Sequence, residues 1–207
     1  MNRKERDMNV LKECAFLYKL NLMNKNLLVV SAYKEQISLT SIEFNKNNYK
    51  HLTGIIASLS ANKFMDALLG DRLSFDDWDY KNDGTSQLKI RALPQMVELH
   101  KNARMIGTYS GNRIYLKSDV CFGGVYCYLG LVVDRNNNNL TEGIYVPSSL
   151  INGNIKEDTN NQERIIAMFR KNKKDTKYKE LTYLAKDVSL NQLKKYIKEY
   201  VCLDKGF

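Results

Sequence analysis

A chain of 207 residues with 43% hydrophobic and 27% charged residues is typical of a folded globular protein with one sizeable core. The excess of 32 Lys and Arg over 23 Asp and Glu gives a formal net charge of +9, which favours polyanionic partners. No apolar run approaches the roughly 18 residues of a membrane span, and no apolar segment follows the charged first residues. We therefore expect no membrane association, no signal peptide and a cytoplasmic location.

Helices and a strand pair are predicted in the first half of the chain. The predicted elements are a helix over 8–23, strands over 26–33 and 36–44, a short helix within 60–74 and a helix from Ser86 onward. Ser60 suits the N-cap of the short helix and Gly70 suits its end. Pro94 predicts either a kink in the helix that follows Ser86 or a later start of that helix.

Strands dominate the predicted second half. They are expected in 104–119 (a strand, a turn and a strand), in 120–135, in 140–151 with Pro147 as its stop, and in 163–172. Residues 136–139 are expected to form a turn, 152–162 a polar loop and 189–203 an amphipathic helix beginning at Ser189. We predict one α+β domain over 1–207, in which N-terminal helices pack on a mainly antiparallel sheet supplied mostly by 104–171, with a C-terminal helix in 188–207.

The residue types present favour chemistry without a metal or cofactor. The four cysteines form no C-x-x-C pair, there are two histidines, and no phosphate-binding loop or H-E-x-x-H motif occurs. The acidic cluster Asp76, Asp77 and Asp79 is interpreted as a solvated loop. RNA carries its own nucleophile, the 2′-hydroxyl, and its cleavage needs only a base, an acid and cations around the phosphorane.

Histidine is the side chain best suited to proton transfer near neutral pH. His51, in "KHLTG", is either a general base or an ordinary residue at a helix start, and the sequence leaves both readings open. His100 lies near the end of a predicted helix, where an imidazole suits the helix dipole, and we interpret it as structural or exposed.

Basic residues are interleaved with aromatic residues in "TYSGNRIYLK" and "FRKNKKDTKYKE". Such mixtures suit phosphate contacts and base stacking, although a lysine-rich loop is also an ordinary solvated surface.

Seven segments carry a resemblance to a known family. In chain order they are "HLTG", "SANKFMDALL", "DGTSQLK", "ARMIGTY", "YVPSSL", "RIIAMFRK" and "YKELTYLAK". Together they resemble the fourth phage-associated group of the barnase–EndoU–colicin–RelE nuclease superfamily, over about residues 10–187. The resemblance implies helices packed on an antiparallel sheet, metal-independent RNA cleavage, and a place in phages or mobile elements as a toxin or effector. Ser86 stands where a second Thr is expected, 134–143 is longer than usual, and the helix after 188 lies outside the matched region.

The resemblance places polar positions of the family at His51, Thr53, Thr85, Ser86, Lys89, Tyr109, Lys171, Tyr178 and Lys186. The roles that follow are assigned from the chemistry of the side chains, and the basic segments above add Arg113, Arg170, Lys173, Lys174 and Lys177. We expect His51, Thr53, Lys171 and Tyr178 to be catalytic, with His51 as general base or acid, Lys171 stabilising the phosphorane and Tyr178 orienting the substrate in the same cleft. The expected RNA-binding residues are Lys89, Tyr109, Arg113, Arg170, Lys173, Lys174, Lys177 and Lys186.

Two functions of different classes follow. The first is an endoribonuclease that cleaves host tRNA or mRNA through 2′-hydroxyl attack, with RNA as partner. The alternative is a phage-encoded, non-catalytic inhibitor that uses the same fold to bind a host or defence protein. Non-catalytic RNA binding is a third reading, and the sequence does not predict the oligomeric state.

Overall fold

The computed structural model describes residues 2–113, 116–134 and 143–203. The helices of this part are α1 (Arg3–Asn21), α2 (Asn48–Thr53), α3 (Ala61–Leu69), α4 (Thr85–Met96), α5 (Leu99–Asn102) and α6 (Leu190–Ile197). The strands are β1 (Lys25–Tyr33), β2 (Gln36–Phe44), β3 (Ile56–Ala57), β4 (Trp78–Asp79), β5 (Met105–Tyr109), β6 (Val120–Gly123), β7 (Cys127–Val133), β8 (Tyr145–Asn152), β9 (Thr159–Asn172) and β10 (Glu180–Leu184).

Capping boxes fix the beginnings of the first and last helices. Asn2 Oδ1 accepts from the Glu5 amide at 2.9 Å, and the Glu5 carboxylate accepts from the Asn2 amide at 2.7 Å, so two amides at the start of α1 are satisfied. Ser189 and Gln192 form the same reciprocal pair at α6. The predicted N-cap at Ser189 is therefore confirmed, although α6 ends at Ile197, earlier than expected.

The main sheet closes on itself. Its strand order is β1-β2-β8-β7-β6-β5-β9-β10, and β1 also pairs with β9, so seven strands form a barrel-like ring to which β10 is added. Pairing is antiparallel except for a parallel contact between Ile42 of β2 and Tyr145 of β8. The mixed α+β class and the C-terminal helix are confirmed, and the mainly antiparallel strands form a closed barrel where the sequence predicted simply a sheet.

The length of β9 explains the closure. One edge of this 14-residue strand pairs with β1, while its other edge pairs first with β5 and then with β10. Because β1 pairs with β2 along one edge and with β9 along the other, the two ends of the seven-strand order are joined and the ring has no free edge of its own.

Three details of the second half differ from expectation. Of the strand, turn and strand predicted over 104–119, the described residues hold only the first strand, because β5 ends at Tyr109 and β6 begins at Val120. Pro147 does not end a strand; it lies inside β8 where the register with β7 shifts, and a proline is tolerated at such an irregularity. Part of the expected polar loop is strand, because β9 begins at Thr159. The turn predicted over 136–139 lies outside the described residues.

Two hydrophobic cores lie on opposite faces of β1 and β9. Leu27 and Val29 of β1 and Met168 of β9 belong to the larger core, which also holds the buried residues of α1 to α4. Leu28 and Phe169 point the other way and pack under Leu193 and Ile197 of α6. We call these the helical core and the α6 core. No described helix is long and apolar enough to cross a membrane.

Candidate active site

Three segments of the family pattern meet where α2 ends, α4 begins and β8 passes beneath them. Ser86, the second residue of α4, is fully buried, and its hydroxyl donates to Gly54 O at 2.7 Å. The same hydroxyl accepts from the Lys81 amide at 2.8 Å. The Ser86 side chain thus connects the end of "HLTG" to the start of "TSQLK". Serine stands here in place of the expected threonine, and it retains the hydroxyl that makes both bonds.

Gly54 has two reasons to be a glycine. Its φ of 69° lies in the left-handed region, where it ends α2 and donates to His51 O at 3.3 Å. A Cβ on this residue would lie 2.5 Å from Lys89 Cδ. Glycine therefore both terminates the helix and leaves room for the lysine stem that crosses it.

Lys89 is the most perturbed cation of this region. Its Nζ donates to Ser149 Oγ at 3.0 Å and lies 3.5 Å from His51 O, at the outer limit of a hydrogen bond. Burial lowers the pKa of Lys89 from 10.5 to about 8; the Lys81 cation adds to the shift and Asp83 opposes it. A partly buried lysine with a pKa close to neutrality is typical of functional sites.

His51 borders this lysine. It lies in the last turn of α2 with an exposed side chain, and its carbonyl oxygen is the one that Lys89 approaches. We call His51, Lys89 and Ser149 the α2–α4 cleft. These three residues supply an exposed imidazole, an ammonium group with a lowered pKa and a hydroxyl, which are the kinds of group that proton transfer and phosphate stabilisation require.

Thr53, expected to be catalytic, is fully buried. Its hydroxyl donates to Lys50 O at 2.7 Å and accepts weakly from the Ile55 amide at 3.4 Å. These contacts favour a structural role at the end of α2 over contact with a substrate.

Lys171 and Tyr178 lie together but apart from the cleft. Lys171 Nζ is 4.7 Å from the centroid of the Tyr178 ring, and the Tyr178 hydroxyl is 3.3 Å from Ser41 Oγ. Burial lowers the pKa of Lys171 and raises that of Tyr178. Tyr178 belongs to the α6 core, whereas the buried residues of α2 belong to the helical core on the other face. The structure thus does not bring the four expected catalytic residues into one cleft.

Several expected RNA-binding residues have partners within the fold. Arg170 donates to both Glu180 carboxylate oxygens, at 2.8 and 2.6 Å, and to Asn21 O. The Arg113 Nε donates to the buried Asp158 at 2.9 Å, and its amide donates to the Tyr109 hydroxyl. These bonds give Tyr109, Arg113 and Arg170 structural roles.

Several lysines of the segment 169–180, which we call the basic loop, are more accessible, and so is Lys186. Lys174, Lys177 and Lys186 are exposed. Lys173 is also exposed, but its Nζ pairs with Glu43, a carboxylate that is only 3% exposed. Phosphate contact therefore remains a prediction for these residues, with Lys173 also anchoring the loop.

His100 is a core residue. It is 6% exposed, and its Nδ1 lies 3.2 Å from Val97 O. Burial, helped by Arg170, lowers its pKa to about 4, so the ring is neutral at neutral pH. The structural reading of His100 is favoured, and the expected charge–dipole interaction does not occur because the ring is not protonated.

Two features of the cleft were missed from the sequence. Ser149 lies in "YVPSSL", a segment that carried the resemblance but received no role, and Lys89 was expected only to contact phosphate. The partial burial of Lys89 arises from residues 35 or more positions away, which no local pattern records. In the described ranges, no group of three or more His, Cys, Asp and Glu side chains is placed to hold a metal ion.

Removing the Ser86 hydroxyl tests how the cleft is built. We expect Ser86→Ala to lower the free energy of unfolding by about 1–3 kcal/mol, because Gly54 O and the Lys81 amide lose their shared partner. Ser149→Ala is the matched control, since its partly exposed hydroxyl contacts Lys89 and supports no backbone bond in this way. Urea unfolding of both variants measures the difference, and equal losses would contradict the assigned role.

A barrel-like sheet packed on one face by helices defines a basic α+β protein, in which Lys89 lies beside His51 O and Ser149 Oγ. A family model described as "phage-Barnase-EndoU-ColicinE5/D-RelE like nuclease4" matches residues 10–187, and the chain belongs to this family. The family supports nuclease activity and a nucleic-acid substrate. Neither the comparison with curated proteins nor that with solved structures found a match.

Proposed function

We propose that the chain is a metal-independent endoribonuclease that cleaves host tRNA or mRNA at the α2–α4 cleft, on behalf of a phage or mobile element. The observation that carries this proposal is the position of Lys89 Nζ, 3.0 Å from Ser149 Oγ and 3.5 Å from the carbonyl oxygen of the exposed residue His51; the lowered pKa of Lys89 supports it. Membership of the nuclease family and the net charge of +9 support a nucleic-acid substrate.

In the proposed reaction, the imidazole of His51 accepts the proton of the 2′-hydroxyl, whose oxygen attacks the adjacent phosphorus. The Lys89 ammonium, held by Ser149 at 3.0 Å, stabilises the negative charge that grows on the phosphoryl oxygens. The bond to the 5′-oxygen breaks, and that oxygen takes a proton from a water molecule as it leaves. The products are a 2′,3′-cyclic phosphate and a 5′-hydroxyl end.

Incubation with total RNA in the presence of EDTA tests this function. We expect new 5′-hydroxyl ends, detected because they accept a labelled phosphate from a kinase without prior dephosphorylation. Lys89→Ala protein, purified in the same way, controls for contaminating nucleases. Absence of cleavage together with tight capture of one host protein would favour the inhibitor, and salt-sensitive retention of intact RNA would favour simple RNA binding.

The basic loop is proposed to bind RNA phosphates outside the cleft. Replacing Lys171, Lys173, Lys174 and Lys177 with alanine is expected to weaken RNA binding and to flatten the plot of log affinity against log salt, by about 0.7 for each phosphate that the loop no longer neutralises. The Lys174→Ala/Lys177→Ala double variant is the control, because it leaves the Lys173–Glu43 pair in place. Filter binding over a salt series measures the slopes, and an unchanged slope in the fourfold variant would reject the proposed role of the loop.

A further inference from the structure

A cavity of about 510 Å³ lies at the C-terminal end of α4, away from Lys89. This volume is in the range of small-ligand sites. Its apolar walls are formed by Pro94, Leu99, Met105, Val125 and Cys127. Polar side chains of α4 and α5 also border it, so the cavity has the apolar wall and the few polar groups that an organic ring system requires.

An exposed aromatic side chain stands at this cavity. Tyr126, in the turn between β6 and β7, is 76% exposed, and its neighbour Val125 is 49% exposed. The turn itself is held by backbone bonds: the Gly124 amide donates to Cys127 O at 2.9 Å, and the Gly153 amide donates to Tyr126 O at 3.0 Å. An aromatic ring on a fixed backbone, with one face free of protein, is suited to stacking on a planar ligand.

The polar groups at the cavity favour hydrogen bonding to the edge of a nucleobase. Glu98 is already paired with Lys101, and the Arg104 guanidinium lies 4.0 Å from the Tyr183 ring centroid and donates to two backbone carbonyls. The amides of Gln95 and Asn102 are exposed and form no side-chain hydrogen bond with the described residues. A free amide offers one donor and one acceptor side by side, a pattern that matches the N6 and N7 edge of adenine.

The cavity lies within reach of RNA held at the α2–α4 cleft. Gln95 follows Lys89 by six positions on α4, a distance of about 9 Å along the helix axis. On β7, Cys127 is three positions from Gly130, which pairs with Ser149, or about 10 Å along the strand. Both offsets are axial lengths, and Gln95 also lies on a different side of α4 from Lys89, so the bound strand would have to curve around the end of α4 to place a phosphate at Lys89 and a nearby base at Tyr126.

We propose that this cavity binds an unpaired purine base of the RNA substrate, with adenine favoured, stacked on Tyr126 and read by Gln95 and Asn102. The inference rests on the proposed function, because the cleft supplies the neighbouring phosphate. It makes the cavity a specificity-determining subsite, so that cleavage occurs preferentially beside an unpaired adenine.

Binding of 2′-O-methyl oligonucleotides tests the subsite without cleavage, because the nucleophile is blocked. Wild-type protein is expected to bind an oligo-A more tightly than an oligo-U of equal length. Tyr126→Ala is expected to weaken oligo-A binding by about tenfold or more, and Tyr126→Phe to restore it. Tyr33→Ala is the control, because Tyr33 is a 51% exposed tyrosine on β1. Equal oligo-A and oligo-U binding, or equal weakening in the two alanine variants, would overturn the subsite.

Cleavage of a random-sequence RNA pool separates this inference from the proposed function. We expect wild-type cut sites to be enriched in adenine at one flanking position and the Tyr126→Ala profile to lose that enrichment. Cleavage with an unchanged profile would overturn the subsite and leave the nuclease standing. Absence of cleavage with a retained oligo-A preference would reject the nuclease and support the cavity as a base-binding site.

Discussion

Lys89→Met is expected to lower RNA cleavage by about 10²–10³-fold while it stabilises the folded protein at pH 7. The ammonium group is proposed to stabilise the phosphorane, so its removal costs rate. The same group is charged and partly buried with a pKa lowered to about 8, so the folded state bears an electrostatic cost that the unfolded state does not. Methionine keeps the length of the stem and removes the charge.

The pH dependence of this stabilisation follows from linkage. Below pH 8 the lysine is protonated in both states, and the folded state bears the full cost, at most about 3 kcal/mol for a fall from 10.5 to about 8. Between pH 8 and 10.5 the unfolded state binds more protons, so wild-type stability rises with pH and the advantage of methionine shrinks. Urea unfolding at pH 7 and pH 9.5 measures both values. A destabilised Lys89→Met variant with cleavage close to wild type would make Lys89 a structural residue.

Lys89→Arg separates charge from packing in the same experiment. If the ammonium form is the active form, wild-type kcat/KM falls as pH rises through about 8, because this ratio reports the free enzyme. Arginine stays protonated throughout, so the variant is expected to lose that decline even if its rate at pH 7 is lower. If kcat/KM declined at the same pH in both proteins, the decline would arise from a group other than Lys89.

Local sequence patterns predict the pairing of neighbouring strands but not the closure of the sheet. The strand pair 26–33 and 36–44 is predictable because a turn at Lys34 and Glu35 separates two strand-like runs, and β1 and β2 confirm it. The ring depends on β1 also pairing with β9, more than 130 residues later, and no hydrophobic alternation specifies which distant edge a strand will meet.

The candidate site is predictable in part for the same reason. The sequence singles out His51 and Lys89 separately, and the fold joins them through the carbonyl of His51. The order of the motifs alone suggests that Lys171 and Tyr178 share the cleft with His51. Alternation along β9 predicts that Lys171 and Met168 lie on opposite faces of the strand. The sequence does not predict that α6 packs on the Lys171 face and α2 on the Met168 face.

His51→Ala is expected to lower cleavage by at least about a hundredfold, because a positioned acid or base contributes about 10²–10⁴-fold to rate. The side chain is exposed, so the free energy of unfolding should change by less than about 0.5 kcal/mol and RNA affinity should stay the same. Added imidazole is expected to restore part of the lost rate, a rescue that a merely structural residue would not give.

Three further variants make the His51 result decisive. His100→Gln is the histidine control: it removes a buried ring, so we expect lower stability but unchanged cleavage per folded molecule. Lys171→Ala and Tyr178→Phe test the alternative cleft, in which these two residues would act together. If the α2–α4 cleft is the active site, they leave kcat within a few-fold of wild type, because they lie on the opposite face of β1 and β9. Hundredfold losses in kcat for both, with His51→Ala close to wild type, would move the active site to the α6 face and reject the proposed role of His51.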